Sequence, residues 1–381
     1  MDALWSEPER LAYEDALAFA REHLAFDPRD HDRAGKLWRE GYLTCGSRLF
    51  PGLCIPTQFG GRGLSYPETL AAMEGLGYGC PDTGLLFALN ASLWTVAMPI
   101  AQFGTDAQRQ RWLPGLSNGS LLGANAASEP NAGSDIFSLQ TQATRDADSW
   151  ILNGRKTWIT AAPAADLFLL FATTDPSRGP LGISAFLIPA NTPGFQVVRT
   201  IPKLGMRTAP MGEILLNNCR LPAESLLGRE GRGARIFQFA LEWERGAILA
   251  PMLGTLRRQL DRCLDFARSR KQFGQPIAKF QAVSHRLVDM AIRLESCRPF
   301  LLAFARTKAA GRDALALASM AKIHLSEAFL QNSLDAIRTL GAYGYSEDAG
   351  IERDLRDSVG GVLFSGTNDI QRNIIAQSLR L

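Results

Sequence analysis

WILNGRKTWIT, residues 150–160, is the stretch at which the chain changes from helical to extended patterning. It places Asn153-Gly154 between two runs typical of strands, which predicts a hairpin because a type I′ turn needs positive φ at both central positions. Four further strand-like runs follow, separated by Pro, Gly and Asn: DLFLLFATT, ISAFLIPA, FQVVRTI and EILLNN. This spacing predicts a small β-barrel or sandwich domain.

The residues before this stretch have the pattern of helices joined by glycine-rich loops. Ser6 with Glu9 three residues later forms a capping box, and the sequence therefore predicts a helix to about residue 25. PTQFGGRGLSYPETL, residues 56–70, predicts a loop that caps another helix. Thr105 is a predicted cap for the helix that contains AQRQRWL.

The residues after the strands return to long helical patterns from Gly233 onward. Gly228, Gly231 and Gly233 give a GxxGxG pattern, but no βαβ unit surrounds it, and we interpret it as the start of a helix. The predicted fold class is therefore α+β. It has an N-terminal helical domain over 1–120, a central β-barrel or sandwich domain over 121–232, and a C-terminal helical domain over 233–381.

Composition limits the partners of the protein. The net charge is +3, and the 41 basic and 38 acidic residues are interspersed, so neither nucleic acid nor an anionic membrane surface is expected as the main partner. MDALWSEPER, residues 1–10, carries acidic residues where a signal peptide carries basic ones. No uninterrupted apolar stretch approaches a membrane span, and a cytoplasmic location is expected.

Cysteine and histidine spacing predicts no metal. The six cysteines never occur as CxxC, so reduced thiols are expected rather than disulfides or a zinc site. The four histidines are far apart in sequence.

The helix predicted from Gly233 carries a carboxylate on its apolar side. Steps of three and four residues give one stripe: Phe237, Ala240, Leu241, Glu244, Ala247 and Ile248. Desolvation there raises the pKa of a carboxylate toward the range of a general base, unless Glu244 instead pairs with a buried Arg or Lys. Glu242 falls on a mixed polar side beside Arg235 and Arg245, where a solvated ion pair accounts for it.

Three polar segments are candidate ligand contacts. NAASEPNAGSDIFSLQ, residues 125–140, offers backbone N–H groups and hydroxyls, although an ordinary surface turn is the simpler interpretation. Trp158 and Thr160 share one strand face and are able to flank a planar cofactor, whereas core packing is the default for a strand tryptophan. Thr367 is a predicted cap of the last helix.

In this order, SEPNAGSD, GRKTWIT, KLGMRTAPMGE, RKQFGQPI with FQAVSHRLVDM, and SGTNDIQR resemble signatures of the acyl-CoA dehydrogenase family over nearly the whole chain. The resemblance implies an N-terminal helical domain, a central β-domain and a C-terminal four-helix bundle. It also implies FAD bound between the β-domain and the bundle, and a homo-oligomer, commonly a tetramer.

The resemblance assigns one set of residues to the subunit's own flavin. Ser128 and Ser134, with the backbone of Ala126 and Ala127, are expected to line the flavin and the thioester end. Trp158 and Thr160 are expected to flank the isoalloxazine ring, and Thr367 and Asp369 match positions near the adenosine half.

A second set is expected to reach the FAD of a neighbouring subunit. It comprises Arg270, Gln272 and Phe273, followed on the same element by Gln281, and the pyrophosphate contacts Arg338, Gly341 and Ala342. DAIRTLGA, residues 335–342, has Arg and Ala where the family has Gln and Gly, which weakens the assignment of those contacts.

The base position departs from the commoner family pattern. Many members carry Glu immediately before the Gly-Thr of the last motif, where this chain has Ser365. A subset resembling isovaleryl-CoA dehydrogenase places the base in a Leu-x-x-Glu-Arg setting, which LEWER, residues 241–245, reproduces with Glu244. The resemblance therefore implies Glu244 as the base rather than Glu242 or Glu129.

The resemblance also implies the remaining groups of the reaction. The Ser365 N–H and a ribityl hydroxyl of FAD are expected to polarise the thioester carbonyl, while the β-hydride passes to the flavin. The substrate pocket is expected to include Ser365, Gly366, Ser134 and Arg245.

The substrate class follows from the same segments. They resemble dehydrogenases that act on acyl or aminoacyl groups held by acyl or peptidyl carrier proteins in polyketide and nonribosomal peptide assembly, including enzymes that oxidise carrier-bound proline to a pyrrole. The alternatives are a short- or branched-chain acyl-CoA dehydrogenase, acting on a CoA thioester, and a catalytically silent flavin-binding scaffold. The sequence leaves the electron acceptor unknown.

Overall fold

The computed structural model describes residues 4–381, in which helices are followed by strands and then by helices. The N-terminal helices are α1 (Glu7–His23), α2 (Arg29–Ala34), α3 (Arg39–Ser47), α4 (Tyr66–Gly79), α5 (Thr83–Ser92), α6 (Met98–Phe103) and α7 (Asp106–Ser117). The strands of the central sheet are β1 (Gly123–Ala126), β2 (Gln142–Asp146), β3 (Ser149–Thr160), β4 (Leu167–Thr173), β5 (Ile183–Pro189), β6 (Phe195–Ile201), β7 (Met211–Pro222) and β8 (Leu226–Leu227).

The C-terminal part is helical apart from one small hairpin. Its elements are α8 (Gly233–Ala247), α9 (Ala250–Ser269), β9 (Lys271–Gln272), β10 (Gln275–Pro276), α10 (Gln281–Ala309), α11 (Leu315–Leu340), α12 (Ala342–Tyr345), α13 (Ile351–Gly361) and α14 (Asn368–Ser378). Short 3₁₀ turns occupy Phe50–Gly52, Thr57–Phe59, Ile136–Ser138, Ala162–Ala164, Pro176–Gly182, Ala223–Ser225 and Ile277–Lys279. The predicted α+β fold class is confirmed.

The predicted helix caps are confirmed. The Ser6 N–H donates to Glu9 Oε2 at 2.9 Å. Ser65 at the end of the 56–70 loop caps α4, and the Gln108 N–H donates to Thr105 Oγ1 at 3.2 Å at the start of α7. The Ser65 and Thr105 hydroxyls each accept from an N–H group that a helix leaves unpaired in its first turn.

One helical segment passes the length and composition test for a membrane span, contrary to the expectation from sequence. A π-turn, Leu93–Ala97, joins α5 and α6 into a continuous helix over Thr83–Phe103. Of its most apolar window, 89% is buried inside the protein. Asn90, Ser92 and Thr95 interrupt its apolar run, so the sequence does not show an uninterrupted span. This helix is part of the core.

The strands form one eight-stranded mixed sheet. The order is β6-β7-β3-β2-β4-β5-β8, and β1 pairs in parallel with β4. All seven residues of β4 are buried, as expected for a central strand covered on both faces.

The hairpin predicted at Asn153-Gly154 is wrong. β3 runs straight through these residues, and the tight turn lies at Ala147-Asp148, between the paired residues Asp146 and Ser149. Gly154 instead marks a shift of register against β7, with φ 155°, and a Cβ there would lie 2.4 Å from Thr141 Oγ1. The Asn-Gly pair therefore lies at a β-bulge. A bulge in a strand favours glycine, as a turn does.

The C-terminal helices pack on one another and on the sheet. α8, α9, α10 and α11 form a bundle, and α8 begins over β5. A Cβ on Gly233 would lie 2.7 Å from the carbonyl carbon of Ser184, so glycine permits this close approach. The β9-β10 hairpin was not predicted; Phe273 and Gly274 form its turn with φ 50° and 80°, as in a type I′ turn.

Candidate active site

A cavity of about 1420 Å³ lies where the central sheet, α8 and the turn before α14 meet. Ten of the predicted site residues line it: Ala127, Ser128, Ser134, Trp158, Thr160, Glu244, Arg245, Ser365, Gly366 and Thr367. The remaining predicted residues lie outside it: Ala126, Arg270, Gln272, Phe273, Gln281, Arg338, Gly341, Ala342 and Asp369. The structure thus brings together residues from positions 127 to 367 of the chain.

Glu244 lies on the side of α8 that faces the cavity. Its neighbours on the predicted stripe are buried or half-buried, so this side of α8 does face inward. Within the described residues no ion pair reaches its carboxylate. Burial raises the pKa of Glu244, and the nearby Ser365 hydroxyl and the charges of Arg245 and Lys322 oppose that rise.

The Ser365 turn, residues 364–367, faces Glu244. Ser365 and Gly366 both have positive φ, 59° and 81°. The Ser365 carbonyl accepts hydrogen bonds from Arg245 Nε at 3.2 Å and Gln371 Nε2 at 3.0 Å, and Gln371 Nε2 also donates to the Gly366 carbonyl at 2.8 Å. These bonds hold a non-glycine residue in a conformation that costs on the order of 1–3 kcal/mol and is concentrated at functional sites.

Two polar groups of Ser365, its hydroxyl and its backbone N–H, are not used by the fold. Its hydroxyl oxygen is buried beside Glu244 but has no partner at hydrogen-bonding geometry. No hydrogen bond among residues 4–381 uses its backbone N–H. Because Ser365 lines the cavity, this N–H is available to a ligand oxygen. The predicted cap by Thr367 is confirmed, because Ile370 N donates to Thr367 Oγ1 at 3.3 Å.

A buried ion pair fixes the loop that carries Ser128. Lys156 Nζ lies 2.8 Å from Glu129 Oε1, and the same Nζ donates to the Ala127 carbonyl at 3.0 Å. Both backbone N–H groups at 140–141 also donate to the Glu129 carboxylate. Burial alone would raise the pKa of Glu129, but Lys156 and these hydrogen bonds outweigh it and the pKa is lowered.

Trp158 presents its ring to the cavity instead of packing in the core. It has φ 61° and its side chain is 59% exposed, at a shift of register between β3 and β7. Thr160, two residues on, also lines the cavity. The shared face was predicted from strand alternation, but the left-handed backbone at Trp158 has no signal in the sequence.

Glu242 has a buried partner rather than the predicted solvated one. Its carboxylate lies 3.0 Å from Lys308 Nζ of α10, and both side chains are only 15% exposed. It also accepts from the Ala314 N–H at 3.3 Å. Lys308 is 66 positions away in the chain, so helical spacing alone pointed to the nearer arginines instead. This carboxylate is engaged in holding α8 against α10.

The residues outside the cavity form an exposed group. Phe273 at the tip of the β9-β10 hairpin is 93% exposed, and Arg338 is largely exposed near Gly341. Gln281 is the first residue of α10. The prediction that it shares an element with Gln272 is wrong, because a 3₁₀ turn separates them. The Phe273 ring therefore has almost its whole surface free for contact with another molecule.

The cavity fits a flavin together with a thioester arm. Its volume exceeds the roughly 300–1,000 Å³ of a pocket for one drug-sized ligand. The free face of Trp158 suits a planar ring system, and the unpaired Ser365 N–H suits a carbonyl oxygen. Among the described residues no group of three or more His, Cys, Asp or Glu is placed to hold a metal ion.

Comparison with known proteins covers almost the whole chain. Family models for the N-terminal, middle and C-terminal domains of acyl-CoA dehydrogenases match residues 6–120, 124–219 and 231–380. A similar curated protein is an L-prolyl peptidyl-carrier-protein dehydrogenase of Pseudomonas fluorescens strain Pf-5, which is 40% identical over 363 residues, 94% of each chain.

Two solved structures are also similar. The prolyl acyl carrier protein oxidase AnaB is 44% identical with a TM-score of 0.97, covering 99% of this chain and 100% of its own. PigA with FAD and proline is 39% identical with a TM-score of 0.95, covering 100% of both chains.

Proposed function

Because the chain belongs to the acyl-CoA dehydrogenase family of FAD-dependent oxidoreductases, we propose that it removes the α and β hydrogens of an aminoacyl thioester carried on a peptidyl carrier protein, with proline as the aminoacyl group. The observation that carries the proposal is the unpaired Glu244 carboxylate, which faces the Ser365 turn inside the cavity. The proline assignment is supported by the relatives, two of which are named for prolyl groups on carrier proteins.

Glu244 is the proposed acceptor of the α-proton. Its raised pKa makes it a stronger base than a solvated glutamate, while the charges of Arg245 and Lys322 favour its ionised form. Glu129 and Glu242 are already engaged with Lys156 and Lys308. Glu244 alone among these three carboxylates lines the cavity without such a partner.

The Ser365 turn is the proposed site of carbonyl polarisation. Its free N–H would donate a hydrogen bond to the thioester carbonyl oxygen. This bond would stabilise the negative charge that develops on the oxygen as the α-proton leaves. Arg245 and Gln371 bind the carbonyls of the turn and so keep the N–H in place. A serine side chain in place of the commoner glutamate leaves room for a cyclic acyl group.

FAD, when bound, supplies the acceptor for the β-hydride. The residues that would hold it are Ser128, Ser134, Trp158, Thr160 and Thr367 of the cavity. We further propose that the hairpin group Arg270, Gln272 and Phe273, with Gln281, Arg338, Gly341 and Ala342, serves the FAD of a neighbouring subunit, and that Asp369 lies near the adenosine half. The exposed Phe273 ring supports this assignment.

The proposal extends to the oligomeric state and the cellular location. A partner-facing cofactor contact requires a homo-oligomer, and we propose a homotetramer in the cytoplasm. We also propose that the chain divides into domains at 120 and 232, with the flavin between the sheet and the bundle.

Anaerobic bleaching of the flavin tests the proposal. Purified holoenzyme is mixed with prolyl-carrier-protein thioester, prolyl-CoA and isovaleryl-CoA, and flavin absorbance is followed. We expect the carrier-bound prolyl group to bleach the flavin fastest, because docking of the carrier supplies binding energy that positions the arm.

Two outcomes would overturn it. Faster bleaching by isovaleryl-CoA would make the protein a branched-chain acyl-CoA dehydrogenase. A flavin that dithionite reduces but no thioester bleaches would indicate a flavin-binding scaffold.

A further inference from the structure

Lys322 is a buried lysine whose charge is not neutralised by an ion pair in the part of the chain that the structure describes. Its side chain is fully buried on α11, and Nζ donates one hydrogen bond, 2.7 Å to Oδ1 of Asn368. Within the described residues no carboxylate forms an ion pair with it. A buried ammonium is costly, and a neutral donor would serve Asn368 equally well. The positive charge is therefore available to stabilise a nearby negative group.

Lys322 lies behind the Ser365 turn. Its Nζ is 6.0 Å from the ring centroid of Phe364, the first residue of the turn. Asn368 directly follows the turn as the first residue of α14, and its Nδ2 donates to Ser326 Oγ at 3.1 Å. α11 packs against both α8 and α14. Glu244 of α8 lines the same cavity as the turn, so both the lysine and the glutamate lie near it.

The charges around Lys322 come from three helices. Glu244 and Arg245 lie on α8, Glu327 on α11 and Arg372 on α14. Glu327 is already paired with Arg372 at 2.6 Å. Burial lowers the pKa of Lys322 to about 8, with Glu244 the leading charge that opposes the fall. Among these groups Glu244 is the one negative charge without an ion pair.

We propose that Lys322 is a positioning residue that holds the Glu244 carboxylate in its ionised form across the Ser365 turn. The lysine acts through space and does not touch the carboxylate, so the charge is favoured while the oxygens stay free for the substrate. This inference rests on the proposed role of Glu244. A direct ion pair would give a larger electrostatic effect but would occupy the base.

The test replaces Lys322 by Met and, separately, by Gln, which keeps a donor for Asn368. Flavin reduction by prolyl-carrier thioester is measured on the holoenzyme from pH 6 to pH 9. At the acid end of this range we expect a loss of up to about tenfold, since removing a nearby opposite charge shifts a carboxyl titration by about one pH unit. Near pH 9 both variants are expected to converge on the wild type, because there Lys322 is largely neutral and Glu244 is ionised without it.

Two controls separate charge from structure. Lys322→Arg keeps the charge, and its pH profile is expected to have the wild-type shape. Ser326→Ala removes a hydrogen bond of Asn368 without changing any charge, and we expect at most a small loss, equal at every pH. A loss in Lys322→Met that is the same at pH 6 and pH 9 would make Lys322 a structural anchor only and overturn the inference.

A second readout does not depend on turnover. Infrared difference titration of the holoenzyme follows the carboxylic C=O band that is absent from Glu244→Gln, and so reports protonation of Glu244 directly. The midpoint is expected to rise by about one pH unit in Lys322→Met and Lys322→Gln. An unchanged midpoint contradicts the inference even if no thioester reduces the flavin, whereas a shifted midpoint with no reduction by any thioester would count against the proposed function alone.

Discussion

Glu129 and Glu244 are two inward-facing carboxylates, each near a buried lysine whose pKa burial lowers to about 8. Lys156 contacts Glu129 directly at 2.8 Å, and backbone N–H groups satisfy the rest of that carboxylate. Lys322 bonds Asn368 instead and leaves Glu244 without an ion pair. The pKa is accordingly lowered at Glu129 and raised at Glu244.

We propose that the difference separates a structural carboxylate, Glu129, from a reactive one, Glu244. A direct, fully hydrogen-bonded pair keeps Glu129 ionised and uses it to hold the loop that carries Ser128. An indirect charge leaves the oxygens of Glu244 open to the cavity. The same pair of residue types is therefore arranged in two ways: Lys156 pairs directly with Glu129, whereas Lys322 bonds Asn368 and forms no ion pair with Glu244.

The largest expected effect is on the chemical step. Glu244→Gln keeps size and polarity but removes the proton acceptor, so flavin reduction is expected to fall by about 10² to 10⁴ while FAD content is unchanged. Stopped-flow absorbance measures the rate. Glu242→Gln is the matched variant on another side of α8, and it is expected to keep most of the rate. Equal losses in the two variants would remove the distinction between them.

The next effect is on stability. Lys156→Met leaves the buried Glu129 carboxylate without its ion pair, and the free energy of unfolding is expected to fall by about 3–5 kcal/mol. Denaturant unfolding of the holoenzyme measures the change. Adding Glu129→Gln to this variant is expected to restore part of the loss. If Lys156→Met were as stable as the wild type, the Glu129 pair would have no structural role.

The pH dependence distinguishes the two carboxylates in the unmodified protein. Glu244 works as a base only when ionised, so flavin reduction is expected to fall as pH drops through its raised pKa, approaching about tenfold per pH unit below it. The fall begins at higher pH than for a solvated glutamate. Glu129 contributes stability above the pKa of an unfolded glutamate, and that stability is lost only at lower pH, as its lowered folded pKa is reached. Rate and unfolding profiles measured over one pH range should therefore separate.

The smallest effect is expected at the exposed hairpin. Phe273→Ala removes a ring that is 93% exposed in the single chain, so it should barely change the stability of the subunit. If the ring contacts a neighbouring subunit's FAD, the variant should lose flavin several-fold more readily on dilution, as for a truncated interface aromatic that costs about 1–2 kcal/mol. Flavin fluorescence after gel filtration measures the loss, and Val288→Ala on the exposed side of α10 is the control. Full retention of flavin would remove the cross-subunit assignment.

Local chemistry was predictable where a motif has one structural meaning. The caps at Ser6, Ser65 and Thr105 were readable because a hydroxyl three residues before Glu or Gln satisfies helix N–H groups in one geometry. The inward face of α8 was predictable from the helical spacing of its apolar residues. Asn153-Gly154 has two meanings, turn or bulge, and local sequence does not decide between them.

Long-range partners and strained backbone were not predictable. Helix packing brings Lys308 to α8 and Lys322 to the Ser365 turn, and local sequence does not show either contact. One signal was present: Ser319, Lys322 and Ser326 form a polar stripe on α11, which indicates a buried polar contact. Trp158 and Ser365 have positive φ without being glycine. The surrounding hydrogen bonds and packing impose that conformation, and the residue type does not reveal it.

Solvent exchange at the α-carbon tests the central claim, that Glu244 moves the α-proton. Holoenzyme and prolyl-carrier thioester are mixed anaerobically in D₂O and quenched early, and deuterium at the α-carbon of the remaining substrate is measured by mass spectrometry. Carrier thioester without enzyme gives the background. We predict uptake well above background with the wild type and Glu242→Gln, and background uptake with Glu244→Gln at equal FAD content. Uptake by Glu244→Gln at the wild-type rate would show that another group removes the α-proton.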